Sequence, residues 1–142
     1  MRNTKTPLAI LLFFMVLSTV EAQEMASEMK MVTVKLISAV DVEEKIDGKA
    51  ARASTVEVIL QPGEKGAPHR HPGPVYGYVL EGVYEFKVEG KPRRTLKAGD
   101  TFYEPIMALH QVSANPSDTD ITRVLAIVVH PRDAKRLVIP EK

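Results

Sequence analysis

The sequence predicts an all-β domain, a barrel or sandwich, behind a cleavable export leader. Short runs rich in β-branched and aromatic residues recur along the chain, each closed by a Gly, Pro or Asn turn. Several of these runs alternate apolar and polar residues, the pattern of a half-buried strand. No long 3.6-residue apolar period follows the leader, so no long helix is expected. The 142 residues suit one domain and contain no repeat or low-complexity tract.

Residues 1–7 carry Arg2 and Lys5 and no acid, and residues 8–17 (LAILLFFMVL) are unbroken apolar. Val20 and Ala22 then supply small residues at −3 and −1 of a cleavage site. This is a secretory signal pattern, with cleavage expected after Ala22 and a periplasmic or secreted product. An apolar run this short does not cross a hydrocarbon core of about 30 Å, so no stable membrane anchor is expected. Removing residues 1–22 takes away Arg2, Lys5 and Glu21, which leaves equal numbers of bases and acids. A neutral domain has no global field to attract nucleic acid, and Arg93-Arg94 reads as a solvated turn. The chain has no cysteine, which excludes thiolate ligands, thiol catalysis and iron–sulfur clusters.

Residues 23–30 read as a polar, Met-rich arm, 31–40 (MVTVKLISAV) as a strand and 41–50 as a charged loop holding Asp47-Gly48. Residues 55–60 (TVEVIL) end at the Pro62-Gly63 turn. Residues 76–80 and 83–89 are strands split by Glu81-Gly82, and Gly90-Lys91-Pro92 closes a hairpin onto 94–96. Short strands follow at 101–103 and 110–113. Asn115 to Asp118 is a turn, and 122–129 (TRVLAIVV) is a strongly apolar strand. Residues 131–136 suit one or two helical turns, with 137–140 extended. The implied organisation is leader 1–22, arm and first strand 23–50, barrel 51–130 and tail 131–142.

Three of the chain's four histidines form one constellation: His69 and His71, then His110 behind Gly99-Asp100 and Pro105. Histidines at i and i+2 on an extended strand share a face. A third histidine from another strand completes a nitrogen site for a divalent transition metal. The alternative is a metal-free barrel with three packed histidines. His130, before Pro131, reads as structural or surface, and Arg70 as structural. Tyr76 reads as a core or interface residue rather than a site phenol. Glu81 and Glu85 read as outward strand residues, and Glu104 is a minor candidate for the site.

Gly63, His69-x-His71 and Gly82 resemble the first motif of the cupin family, and Gly99-Asp100, Pro105 and His110 the second. The resemblance covers residues 56–129 and implies a jelly-roll β-barrel, commonly a homodimer. Carried over, the metal ligands are His69, His71 and His110. The family's ligand glutamate falls at Val75, where no carboxylate stands. Met107 replaces a glycine of the pattern, and the asparagine of the second motif is displaced, Ala114 standing in its place and Asn115 following. Three neutral imidazoles leave a bound ion its full +2 charge, which favours an anion or hydroxide beside it. Fe, Mn, Ni and Zn all suit such ligands. The resemblance implies a metal-dependent enzyme of dioxygenase or sugar-acid isomerase type acting on a small oxygenated molecule. The other class is a non-catalytic small-ligand-binding or accessory barrel, and a barrel serving mainly assembly is a third. No general base beyond tyrosine is evident in the sequence.

Overall fold

The computed structural model describes residues 32–46 and 48–141; the leader and arm expected over 1–30 lie outside them. The described residues form ten strands and no helix. They are β1 (Thr33–Ile46), β2 (Lys49–Leu60), β3 (His69–Arg70), β4 (Val75–Glu81), β5 (Val83–Val88), β6 (Arg94–Lys97), β7 (Thr101–Glu104), β8 (His110–Ala114), β9 (Thr122–Pro131) and β10 (Ile139–Pro140). Two five-stranded sheets result, ordered β1-β2-β9-β4-β7 and β10-β3-β8-β5-β6. Every pairing is antiparallel.

The side-chain period of two decides what enters the core. In β9, Val124, Ala126 and Val128 are buried while Arg123, Leu125 and Ile127 face outward. In β5, Tyr84, Phe86 and Val88 are buried. One cluster gathers Leu60, Val79, Tyr84, Phe86, Val88, Leu96, Phe102 and Val124. A second, smaller cluster joins Val56, Val75, Ala126 and Val128. Two backbone positions are set by close approach. A Cβ on Gly77 would sit 2.0 Å from the Phe102 ring, and one on Gly73 would sit 1.8 Å from the Val129 carbonyl oxygen. The Pro72-Gly73-Pro74 loop therefore lies directly on β9, with Val129 N–H donating to the Pro74 carbonyl at 3.1 Å.

Two local expectations are corrected. Residues 41–46 do not loop: β1 continues to Ile46 and pairs with β2 as far as Lys49. Its charged residues are compatible with a strand because nearly all of β1 is exposed. Residues 131–136 do not become helical. A single turn forms, with Ala134 N–H donating to the Pro131 carbonyl at 3.0 Å, and the chain then runs extended into β10. So short a segment cannot recover the cost of helix nucleation, and only beyond it do Ile139 and Pro140 pair with β3.

A bulge in β8 explains the displaced asparagine. Val88 pairs with His110 and Lys87 with Val112, so Gln111 has no counterpart on β5. The bulge takes up the extra residue, and Asn115 still reaches a fully buried post. There its side-chain amide donates to the carbonyls of Leu60, Gln61 and Asp120, and Ser117 N–H donates to its Oδ1. Asn115 thereby ties the end of β2 to the turn before β9.

Candidate metal centre

His69 on β3 and His110 on β8 are direct partners in the ladder, and His71 follows β3 by one residue. One ligand nitrogen from each of the three lies within 4.8 Å of the others. The cluster predicted from sequence therefore forms. His110 is buried at 4% exposure, while His69 and His71 are part-exposed toward solvent.

Backbone carbonyls orient each ring. His69 Nδ1 contacts the Ala67 carbonyl at 2.8 Å, and His71 Nδ1 contacts that of Leu137 at 2.6 Å. His110 Nε2 contacts the Val112 carbonyl at 2.9 Å. A carbonyl only accepts, so the contacting nitrogen of each ring carries the hydrogen and the other nitrogen is bare. The bare nitrogens are His69 Nε2, His71 Nε2 and His110 Nδ1, and these are the ones that converge. His69 Nε2 and His71 Nε2 stand 3.1 Å apart, lone pair toward lone pair. His110 Nδ1 is buried without a hydrogen-bond partner among the described residues. Such an arrangement is repulsive until a cation sits between the nitrogens, and second-sphere carbonyls locking ring tautomers are a regular feature of histidine metal sites. The residues therefore fit a divalent ion.

Burial reinforces the neutral state of the imidazoles. It lowers the His71 pKa to about 4 and that of His110 to about 3, with nearby histidines adding to the effect. The rings stay unprotonated, as ligands must be, well into acid. Beneath them the interior is filled. The Phe86 ring lies 5.1 Å from the His110 ring and 4.7 Å from that of Phe102, and Tyr84 Oη donates to Ser113 Oγ at 2.8 Å. Burial pushes the Tyr84 hydroxyl pKa upward, so it remains a neutral phenol.

One residue matters far more here than its sequence reading indicated. Glu104, at the end of β7, is 3% exposed and lies on the facing sheet. Its Oε1 is 3.2 Å from His110 Nδ1 and its Oε2 is 3.7 Å from His71 Nε2. Burial raises its pKa to about 8. The expectation that tyrosine alone offered an acid–base group is thus corrected. The signal lay in residues 101–104: Phe102 and Glu104 alternate with polar Thr101 and exposed Tyr103, so an inward Phe102 carries Glu104 inward with it. An acid on the buried face of a strand requires a partner.

The remaining candidates fall elsewhere. Tyr76 is 58% exposed on the outer face of β4. Glu81 and Glu85 pair with Arg123 and Arg93 away from the site. Arg70 points opposite the histidines and ties Glu89, Glu141 and the Met107 carbonyl together. His130 is buried against Ser54, with its Nε2 2.9 Å from Ser54 Oγ and its Nδ1 on the Pro131 carbonyl. Met107 takes the left-handed conformation, φ 57°, that the family pattern gives to glycine. It is held there from both sides, its N–H donating to the His71 carbonyl and its own carbonyl accepting from Arg70.

Two facing antiparallel sheets with a histidine cluster at the barrel mouth define a cupin-type barrel. The chain belongs to the cupin domain family, whose model matches residues 56–128. No curated protein matches it in sequence. Among solved structures it is similar to an uncharacterized conserved protein with a double-stranded β-helix domain from Klebsiella pneumoniae, at 19% identity and TM-score 0.58, over 80% of this chain and 88% of that one. It is similar to the DMSP lyase DddQ from Ruegeria pomeroyi, at 21% identity and TM-score 0.59, over 82% of this chain and 56% of that one. It is also similar to KdgF from Halomonas sp., at 27% identity and TM-score 0.54, over 72% of this chain and 81% of that one.

Proposed function

We propose that this chain is an exported, metal-dependent cupin enzyme acting on a small oxygenated molecule, with His69, His71 and His110 as metal ligands. The observation that carries the reading is the convergence of three bare imidazole nitrogens, two of them 3.1 Å apart. A divalent ion held there supplies Lewis-acid activation of an oxygen-bearing substrate or, if it is iron or manganese, redox chemistry. The chain's own contribution is orientation and exclusion. The carbonyls of Ala67, Leu137 and Val112 keep the rings aimed. Tyr84, Phe86 and Phe102 close the interior below the rings, so a substrate approaches from the part-exposed side of His69 and His71 and must be small. Dioxygenation and sugar-acid isomerisation both suit such a site.

Elemental analysis of untagged protein tests the reading, beside His69→Ala. About one transition metal per chain, absent from the variant, is expected. Protein that takes up no metal after incubation with Fe(II), Mn(II), Ni(II) and Zn(II) overturns it. A non-catalytic ligand-binding role is the competing reading, and apolar Val75 at the family's carboxylate position favours it. Tight binding of a metabolite without its consumption would decide for that role.

Two further proposals complete the reading. The leader is removed after Ala22, which an intact mass beginning at Gln23 would establish. Two copies pair through the outer face of β1-β2-β9-β4-β7, where Tyr76, Tyr78, Leu80 and Tyr103 are exposed. Sedimentation of Tyr76→Asp as a monomer, beside a wild-type dimer, would support that pairing.

A further inference from the structure

The first motif lacks its carboxylate, yet a carboxylate stands in the site. Val75 on β4 and Glu104 on β7 are direct partners in the antiparallel ladder. Directly opposed residues of such a ladder project to the same face, with Cβ atoms about 5 Å apart. Both side chains are buried, at 1% and 3% exposure, and both face the barrel interior. A side chain at Glu104 therefore enters the same region as one at Val75, from the neighbouring strand. We infer that Glu104 is the fourth metal ligand of this protein, a carboxylate moved one strand across the sheet from the position that Val75 leaves empty of charge. The inference rests on the three-histidine reading above.

Distances support the assignment. Ligands about 2.1 Å from one tetrahedral ion stand about 3.4 Å apart. The two Glu104 oxygens each approach one histidine at this spacing, Oε1 at 3.2 Å from His110 Nδ1 and Oε2 at 3.7 Å from His71 Nε2, while His69 Nε2 and His71 Nε2 are 3.1 Å apart. The two buried side-chain atoms without any hydrogen-bond partner among the described residues are Glu104 Oε2 and His110 Nδ1, on adjacent sides of this gap. Among the described residues no Lys or Arg pairs with Glu104, although ion pairs serve Glu57, Glu81, Glu85 and Glu89. A buried acid with no cationic side chain beside it either keeps its proton or gives it up to a metal ion. Its ligation reduces the charge of the centre from +2 to +1 and withdraws the preference for a second anion that a three-histidine site would have.

Cobalt(II) titration of the full chain, followed by visible absorption, tests this. Wild type, His71→Ala, Glu104→Gln and Glu104→Val are compared. Wild type takes one Co(II) and His71→Ala loses it. Glu104→Gln binds at least roughly tenfold more weakly, the lower end of what even an outer hydrogen-bonding partner is worth, and its d–d bands shift because a ligand has changed. Unchanged bands, at any affinity, overturn ligation by Glu104 while leaving the three histidines in place. Wild type that takes no Co(II) overturns the three-histidine reading and this one with it. If Glu104→Gln does not fold, the double variant V75E/E104V returns a buried carboxylate to the barrel from β4. Tighter Co(II) binding by V75E/E104V than by Glu104→Val supports the inference, and wild-type affinity in Glu104→Val overturns it.

Discussion

Val75 and Glu104 face each other across the β4–β7 ladder, one apolar and one acidic, beside His69 and His110 of the opposite sheet and His71 just after its β3. The consequence for stability is measurable without any metal. Glu104 holds its proton in the folded chain up to about pH 8, against an ordinary value of 4.5. Its contribution is fully present below pH 4.5 and is lost as pH rises toward 8. That loss is on the order of 5 kcal/mol. In chelator, Glu104→Gln is therefore more stable than wild type at pH 8.5 by urea denaturation, while equal stability there would contradict the burial of the carboxyl.

The histidines work in the other direction. The unfolded chain protonates His71 and His110 near 6.5, whereas the folded chain refuses those protons until about pH 4 and about pH 3. Stability from these two groups is present above 6.5 and falls as pH drops below it. Together with Glu104, they place the metal-free optimum of this site near pH 6.5. A denaturation series at pH 5, 6.5 and 8.5 should show loss on both sides, with the alkaline limb missing in Glu104→Gln.

Metal binding converts this strained centre into a stabilising one. An ion that binds only the folded chain, at about a hundred times its Kd, adds about 2.7 kcal/mol. Zn(II) should raise the Tm of wild type by several degrees and leave that of His71→Ala unmoved. A shift of the same size in both would place the ion elsewhere.

Gly77 lies under the Phe102 ring, with no room for a Cβ. Gly77→Ala forces Phe102 from its place, and overpacking of this kind costs roughly 1–3 kcal/mol. Phe102 is two residues from Glu104 on the same face of β7, so the displacement reaches the site. Weaker Co(II) binding should accompany the lower Tm.

Met107 occupies a left-handed position clamped by His71 and Arg70. A left-handed L-residue costs roughly 1–2 kcal/mol, and glycine returns part of that gain as chain entropy. Met107→Gly should keep its metal and gain up to about 1 kcal/mol, read from the urea midpoint. Destabilisation would show that the Met side chain contributes packing of its own.

Local pattern determined much of this protein. The alternation in β5, the apolar run of β9, the turns at Pro62-Gly63 and Gly90, and the spacing of His69, His71 and His110 were all legible in the sequence, because strand period and turn chemistry act over a few residues. The tertiary structure alone decided which strands became neighbours. It set Glu104 opposite Val75, brought the Leu137 carbonyl from the C-terminal segment onto His71, and absorbed one residue of β8 in a bulge so that Asn115 reached its post. Those relationships depend on the register between segments far apart in the chain, and register is set by how the two sheets bury their apolar faces together rather than by any single stretch of residues.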